Sequence, residues 1–272
     1  MKKKILALCL VVVLAITAVT GATLAYFTDT DNATNTFAAG SVRIELVEQE
    51  RIYDEEGMLT GLGTFTQDKT LMPSHNDAQG TKDIYGMPVV DNYVDKIVNV
   101  KNTGNSDAYV RVIVAVPAAL EEEDPQNAAH NVLHWNVGNK FTAAGDFDTT
   151  ATTQAENAEW ANVSWKYTET VEIDKVNYNL YIFTYKNPLA AGQTTKAASF
   201  VGFYLDKGVD CEYVKNDDGT EKLVYTFNGT QIGYDLTNGV TIPVFAQAVQ
   251  AAGFDTAEAA FAAANMPGNP WA

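Results

Sequence analysis

The sequence predicts a mainly β protein built as an antiparallel β-sandwich, with a helical insertion and a C-terminal helix pair. Short segments rich in β-branched and aromatic residues recur along the chain, and Gly, Asn and Asp separate them. Helical patterns occur in only two places, which argues against a parallel α/β sheet. The 272 residues are enough to bury the core of one such domain without disulfide bonds.

The N-terminus has the three-part pattern of a secretory signal peptide. A basic stretch, Lys2 to Lys4, precedes an almost continuous apolar run from Ile5 to Val19, and Thr23-Leu24-Ala25 follows as a cleavage site. We therefore predict a signal peptide over residues 1–25, with cleavage between Ala25 and Tyr26. An uncleaved anchor is the alternative, but the apolar run is short against the roughly 20 residues that a membrane span needs.

Charge and cysteine content limit the partners of the exported chain. Cleavage would remove three lysines and no acidic residue, taking the formal net charge from −16 to −19. Such a chain repels nucleic acid and anionic lipid, so we expect neither as a partner, and we expect no stable membrane span after cleavage. Cys211 alone would remain, which excludes an intramolecular disulfide and a cysteine-based zinc site.

The strand signals follow one another through the middle of the chain. The predicted strands are Val42–Leu46, Val94–Lys101, Tyr109–Val116, Val163–Tyr167, Tyr178–Tyr185, Ala198–Leu205, Cys211–Val214 and Leu223–Phe227. Two turns separate neighbouring strands, at Asn102–Asn105 and Asn216–Gly219. Two long polar segments, Tyr53–Pro88 and Thr142–Glu159, are predicted to be loops, and loops of this length are often functional.

The predicted helices lie in an insertion and at the C-terminus. The insertion, residues 118–135, begins after Pro117, carries Glu121 in its first turn and is interrupted by Pro125. Residues 241–272 are predicted to form a helical hairpin and tail. Its first helix is the alanine-rich Val244–Ala252, and its second is capped by Asp255 with Glu258 in the capping-box position. Residues 26–240 are the predicted sandwich domain.

Few residues are candidates for catalysis or metal binding. His130 and His134 stand four apart and would share one face of a helix, as zinc ligands do. Asn131 occupies the position where a zinc protease of that pattern needs a glutamate as its general base. We therefore expect packing and solvent-exposed roles for these histidines, and we predict no catalytic residue, no metal site and no cofactor.

Acidic turns are the remaining metal candidates. Asp29–Asn32 and Asn216–Gly219 resemble fragments of calcium loops, but neither continues with the ligands of an EF-hand. The run Tyr53–Gly57 is similar. Calcium binding stays possible without support, and we interpret all three segments as ordinary turns.

Two motifs directly after the signal peptide resemble the N-terminus of the TasA/camelysin family of Gram-positive bacteria. They are Leu24-Ala25-Tyr26-Phe27-Thr28-Asp29 and Asn35-Thr36-Phe37-Ala38-Ala39-Gly40-Ser41-Val42. Looser similarity extends over 98–104, 107–112 and 187–195. The helical insertion and the C-terminal helices depart from the small founding members of the family.

The resemblance implies a jelly-roll-like fold, processing by a SipW-type signal peptidase, and location in the extracellular matrix or at the cell surface. Better known members form biofilm matrix fibres in which the N-terminal segment of one subunit adds a strand to the next. By that resemblance, residues 26–40 are the candidate donor strand, with Phe27 and Phe37 as its apolar anchors for assembly.

Three functions remain open. A fibre subunit that associates with itself or with related subunits is the first, and a monomeric adhesin that binds through its long loops is the second. A metallopeptidase is the third, because the camelysin branch carries that description. No catalytic motif of that branch can be transferred to this chain.

Overall fold

Antiparallel sheets dominate the structure, a computed structural model that describes residues 28–31, 42–67, 69, 71–74, 92–122, 131–135, 159–161 and 167–272. The strands in chain order are β1 (Thr28–Asp31), β2 (Ile44–Tyr53), β3 (Leu59–Thr64), β4 (Val94–Asn102), β5 (Ala108–Pro117), β6 (Leu133–Trp135), β7 (Trp160–Ala161), β8 (Glu169–Ile173), β9 (Val176–Tyr185), β10 (Phe200–Leu205), β11 (Val209–Lys215), β12 (Glu221–Phe227), β13 (Thr230–Gln231) and β14 (Val244–Gln250). One α-helix, α1 (Ala257–Ala263), lies near the C-terminus of the described chain.

The strands form two main sheets and a smaller one. The first sheet has the order β1-β14-β5-β9-β7, and β8 also pairs with β9. The second has the order β3-β2-β4-β10-β6, and the third consists of β11, β12 and β13. The predicted β-sandwich is confirmed, because one hydrophobic core joins the inner faces of the first two sheets.

Alternation along the strands decides which side chains enter that core. On β5 the inward positions are valines, at 110, 112, 114 and 116, and all are fully buried. Val98 and Val100 of β4 meet them from the second sheet. Side chains of a strand alternate between its two faces, so a run of alternate valines places one apolar face against the opposite sheet.

The outer face of the first sheet is also covered. Tyr109 of β5 and Val249 of β14 pack against Ala260 and Phe261 of α1, and Trp271 packs near Ala115. Both faces of β5 are therefore buried, which explains its nearly continuous apolar sequence. We call residues 251–272, which cover this face, the C-terminal segment.

The C-terminal helix pair was predicted wrongly in its first half. Val244–Ala252 is not a helix, because Val244–Gln250 form β14 and pair with β5 over seven positions. Alanine has the highest intrinsic helix propensity, but ladder pairing together with burial on both faces overrides that local preference here. The second helix is present as α1, but its cap is Thr256, whose hydroxyl accepts from the Ala259 amide at 3.2 Å.

The insertion also differs from its prediction. Ala118–Leu120 form one 3₁₀ turn and Leu133–Trp135 form β6, so no α-helix occupies either end of residues 118–135. Residues 123–130 lie outside the described residues. The Glu121 carboxylate accepts hydrogen bonds from Trp135 Nε1 at 2.6 Å, Asn179 Nδ2 at 3.0 Å and the Tyr181 hydroxyl at 3.1 Å. Glu121 is thus an anchor between the two sheets and not a residue of a helix's first turn.

Most of the other predicted strands are confirmed with small shifts of their ends, except that β2 continues to Tyr53, well beyond the predicted end at Leu46. They correspond to β2, β4, β5, β9, β10, β11 and β12. Val163–Tyr167 lies almost entirely outside the described residues. The predicted loop from Tyr53 contains the strand β3, which sequence analysis missed. In the described part of the chain, no helix is both long and apolar enough to span a bilayer.

Candidate assembly interface

The N-terminal strand lies at the edge of the first sheet. β1 pairs antiparallel with β14, placing Thr28 opposite Val249 and Asp31 opposite Ala246. Strand pairing of this kind depends on main-chain hydrogen bonds and hence little on side-chain identity. The predicted cleavage residues Ala25 and Tyr26 and the predicted anchors Phe27 and Phe37 lie outside the described residues, so their roles stay predictions.

β14 is the partner of this strand on one side and of β5 on the other. β5 pairs with all seven residues of β14, whereas β1 pairs with the four residues Ala246–Val249. Val244, Phe245 and Gln250 therefore extend beyond the β1 pairing. Among the described residues the β14 edge is thus longer than the strand paired with it, and such an edge can accept a longer strand.

The two faces of β14 contact different parts of the molecule. Ala246 and Ala248 face the main core and are fully buried. Phe245 and Gln247 face the C-terminal segment, where the Phe245 and Trp271 rings lie 6.1 Å apart. Sequence analysis missed this strand because its alanines resemble a helix. Its alternation of small inward and larger outward residues was the available signal.

Hydrogen bonds from Arg111 hold the C-terminal segment against the outer face of the first sheet, next to β14. Its Nε donates to Gln247 Oε1 at 2.6 Å, and its Nη2 donates to the carbonyls of Met266 at 3.1 Å and Pro267 at 2.8 Å. Gln247 Nε2 donates to the same Pro267 carbonyl at 3.2 Å. Burial lowers the pKa of Arg111 to about 10, so the guanidinium stays charged at neutral pH. The register of β14 is thereby tied to the C-terminal segment.

His134, the one described member of the predicted histidine pair, lies in a strand and not in a helix. His134 lies in β6, where its Nε2 is 2.7 Å from Asp206 Oδ2 and its ring stacks on Tyr204 at 4.8 Å. His130 lies outside the described residues. Within the described residues, no group of three or more His, Cys, Asp or Glu side chains is arranged to hold a metal ion.

Of the three acidic segments considered for calcium binding, two are turns and one is a strand. Asn216–Gly219 is a hairpin turn between β11 and β12, and the Thr220 amide and hydroxyl donate to Asp218 Oδ1 at 2.9 and 2.5 Å. Those hydrogen bonds lower the pKa of Asp218. Asp54 begins the turn between β2 and β3 and accepts from the Met58 amide at 2.6 Å. Thr28–Asp31 is a strand, so the turn predicted there is wrong.

Comparison with known proteins gives one family. The family model described as camelysin metallo-endopeptidase matches residues 1–233, which leaves β14 and the C-terminal segment outside the match. Neither the curated proteins nor the solved structures give a match. The match confirms the resemblance seen in the N-terminal motifs, and the family is extracellular or surface-associated. The chain therefore belongs to the TasA/camelysin family.

Proposed function

We propose that the mature chain is a secreted structural subunit of an extracellular matrix or surface fibre, and that it assembles by donating its N-terminal strand. One observation carries this proposal: β1, which begins three residues after the predicted cleavage site, pairs with the edge of β14 at four positions. A strand near a chain end that pairs through main-chain hydrogen bonds can be exchanged between identical subunits.

Exchange costs little because it replaces a contact with an identical one. When β1 of one subunit pairs with β14 of the next, the lost and gained hydrogen bonds are the same, so subunit concentration decides the outcome. Each subunit offers one donor and one acceptor at different places. Such head-to-tail contacts do not close on themselves, and they generate filaments.

The predicted donor is longer than β1 and could use more of the acceptor edge. Residues 26–40 exceed the four paired residues, and β14 extends beyond them at both ends. A donated strand that kept the register of Thr28 opposite Val249 would place Phe27 opposite Gln250. In this proposal the Phe27 and Phe37 side chains are buried against the accepting subunit, which adds a hydrophobic contribution to the four backbone pairs.

Export and processing belong to the same proposal. A SipW-type signal peptidase would cut between Ala25 and Tyr26 and so create the free N-terminus that donation needs. Retention of the signal peptide would hold the donor strand at the membrane. A monomeric surface adhesin is the alternative when no assembly follows cleavage.

The test compares three forms of the exported chain by electron microscopy and analytical ultracentrifugation. They are the mature chain, a variant beginning at Ser41, and Phe27→Ala combined with Phe37→Ala. Burying one Phe side chain contributes roughly 1.5–3 kcal/mol, and each 1.4 kcal/mol changes affinity about tenfold. We expect filaments from the mature chain alone.

The thermal transition of each variant serves as the control. The Ser41 variant lacks β1, so we expect a lower Tm with a cooperative transition retained. Filaments in either variant would contradict strand donation. Loss of cooperative unfolding in both variants would mean that the segment serves only its own subunit.

A metallo-endopeptidase is the second candidate, because the matching family model carries that description. We propose a non-enzymatic role over this candidate, since Asn131 stands where the zinc-protease pattern needs its general base. Metal content and casein hydrolysis separate the two.

A further inference from the structure

Charged side chains occupy inward-facing positions on two neighbouring strands of the second sheet. On β4, Val94 and Val98 enter the core, and Lys96 lies between them on the same face with 9% of the residue exposed. On β2, Ile44 and Leu46 face the core, and Glu48 and Glu50 continue that face. The apolar inner face of the sheet thus becomes charged toward one end.

These charges are paired with one another. Lys96 Nζ lies 2.6 Å from Glu48 Oε1, and Lys69 Nζ lies 2.8 Å from Glu50 Oε2. The Thr66 amide and hydroxyl also donate to Glu50, at 3.1 and 2.9 Å. Pairing offsets the cost of removing these charges from water. It does not explain why charged residues and not apolar ones occupy these positions.

Protection of a sheet edge is the usual reason for inward-pointing charges, and it does not apply to these strands. The order β3-β2-β4-β10-β6 makes both β2 and β4 internal strands of the sheet. Apolar side chains would complete the core more simply at those positions. A charged residue such as Lys96, on an internal strand and on the wall of a cavity, therefore points to a binding role.

Lys96 lines a cavity of about 280 Å³, and so does Lys69, the partner of Glu50. Lys69 and Lys96 lie on its wall with the rings of Phe65 and Phe203, and the wall also includes residues 238–242, which lead toward β14. Lys96 Nζ sits 4.7 Å from the centroid of the Phe65 ring. Asn238 and Thr241 add an amide and a hydroxyl. The lining thus combines aromatic surface with hydrogen-bonding groups of both kinds.

The charge balance of the cavity selects the class of ligand. Two lysines and two glutamates in close pairs leave no net charge, so neither an anion nor a cation gains much from entering. A purely apolar ligand would cover the polar groups without satisfying them. A saccharide satisfies both parts of the lining, because its C–H face packs on an aromatic ring while its hydroxyls donate to the amide oxygens of Gln67 and Asn238 and accept from the lysine ammonium groups.

We infer that this cavity, between the end of β3, the start of β4 and residues 238–242, binds a neutral saccharide of one or two rings. The small volume, at the lower end of ligand pockets, sets the ligand size. The cavity is separate from the β1–β14 pairing, so this binding is independent of strand donation.

The test titrates the mature chain with glucose, N-acetylglucosamine and their β-1,4-linked disaccharides, followed by NMR chemical shifts and calorimetry. We expect a dissociation constant of about 1 mM for at least one probe, with shifts confined to the cavity lining. Thr241→Val keeps the shape of the side chain and leaves no charge unpaired, and it should weaken binding roughly tenfold. Lys96→Met should abolish binding.

Two controls keep the result specific. Lys215→Met changes an exposed lysine on β11 and should bind as the parent chain does. Inorganic phosphate should cause no shifts in the cavity. Absence of binding by every saccharide probe, binding unaffected by Thr241→Val and Lys96→Met in folded chains, or competition by phosphate would each overturn the inference. None of these outcomes bears on filament formation, which the Ser41 variant tests.

Discussion

The guanidinium of Arg111 lies over the ring of Phe261, with Cζ 4.3 Å from the ring centroid. The same side chain bonds to Gln247 of β14 and to two carbonyls of the C-terminal segment. Arg111 of β5 thus connects β14, the strand that pairs with β1, to the C-terminal segment.

Replacing Arg111 should loosen the C-terminal segment. Arg111→Met keeps much of the apolar stem but removes three hydrogen bonds and the contact of the charge with Phe261. We expect the free energy of unfolding to fall by about 2–4 kcal/mol. Denaturant unfolding measures the loss, and limited proteolysis should show earlier cleavage within residues 251–272. Arg43→Met, at an exposed position, should have neither effect.

A disulfide between β1 and β14 should block assembly. Asp29 and Ala248 are directly opposite, and opposite residues of antiparallel strands lie within the Cα separation that a disulfide spans. Asp29→Cys with Ala248→Cys, in a Cys211→Ser background, should give oxidised monomers without filaments. Reduction should restore filament growth.

The two single variants provide the complementary experiment. A mixture of Asp29→Cys and Ala248→Cys chains should form a cross-linked dimer, because donation places the two cysteines opposite each other in different subunits. Filaments from the oxidised double variant, or absence of the dimer in the mixture, would contradict exchange of β1.

Glu121 should be more important for stability than its neighbour Glu122. Glu121→Ala leaves Trp135 Nε1, Asn179 Nδ2 and the Tyr181 hydroxyl without this acceptor, and each buried donor that loses its partner costs about 1–3 kcal/mol. We expect a loss of about 3 kcal/mol or more. Near-ultraviolet circular dichroism should change, because the Trp135 and Tyr181 rings lie 4.6 Å apart. Glu122→Ala should change stability by less than about 1 kcal/mol.

Alkaline pH should destabilise the fold through buried tyrosines. Burial, with the neighbouring Tyr234 as a smaller cause, raises the pKa of Tyr178 to about 12 from its ordinary value of 10.0. The folded chain keeps this proton at a pH where the unfolded chain has lost it, so stability falls as pH rises from about 10 to about 12. Tyr178→Phe should flatten this decline in a series of Tm values. Tyr213→Phe, at a 73% exposed position, should not.

We predict no stoichiometric zinc and no casein hydrolysis by the mature chain. His134→Ala should nevertheless destabilise it, by about 1–3 kcal/mol, because Asp206 loses its partner at 2.7 Å. Elemental analysis and a protease assay of parent and variant separate a structural histidine from a ligand. One zinc per chain, lost in His134→Ala, would support the metallopeptidase candidate.

Strands with a complete local pattern could be predicted from sequence. β5 and β9 combine β-branched and aromatic residues over ten positions, so composition and alternation agree. β3 was missed because Gly61 and Gly63 weaken its strand signal. β14 was assigned to a helix because local propensity favours helix in an alanine-rich segment, and only its distant partners β1 and β5 make it a strand.

The candidate interface was predictable on one side only. The position of the N-terminal segment after the predicted signal peptide, and its family motifs, made it the candidate donor, and this stays a prediction. Its acceptor could not be identified, because nothing local in Val244–Gln250 specifies pairing with residues at the opposite end of the chain. The same limit applies to Arg111, whose partners Met266 and Pro267 are distant in sequence.

The pairing of β1 with β14 has a kinetic consequence for export. If the chain is exported as proposed, Thr28–Asp31 leave the membrane well before Val244–Gln250. Contacts between such distant residues form slowly, because a large loop must close before they are made. Under the proposed function, each newly exported chain would therefore pass through a period in which β1 has not yet paired with its own β14. If neighbouring chains are abundant at the export site, that delay favours capture by a neighbour over closure within one chain.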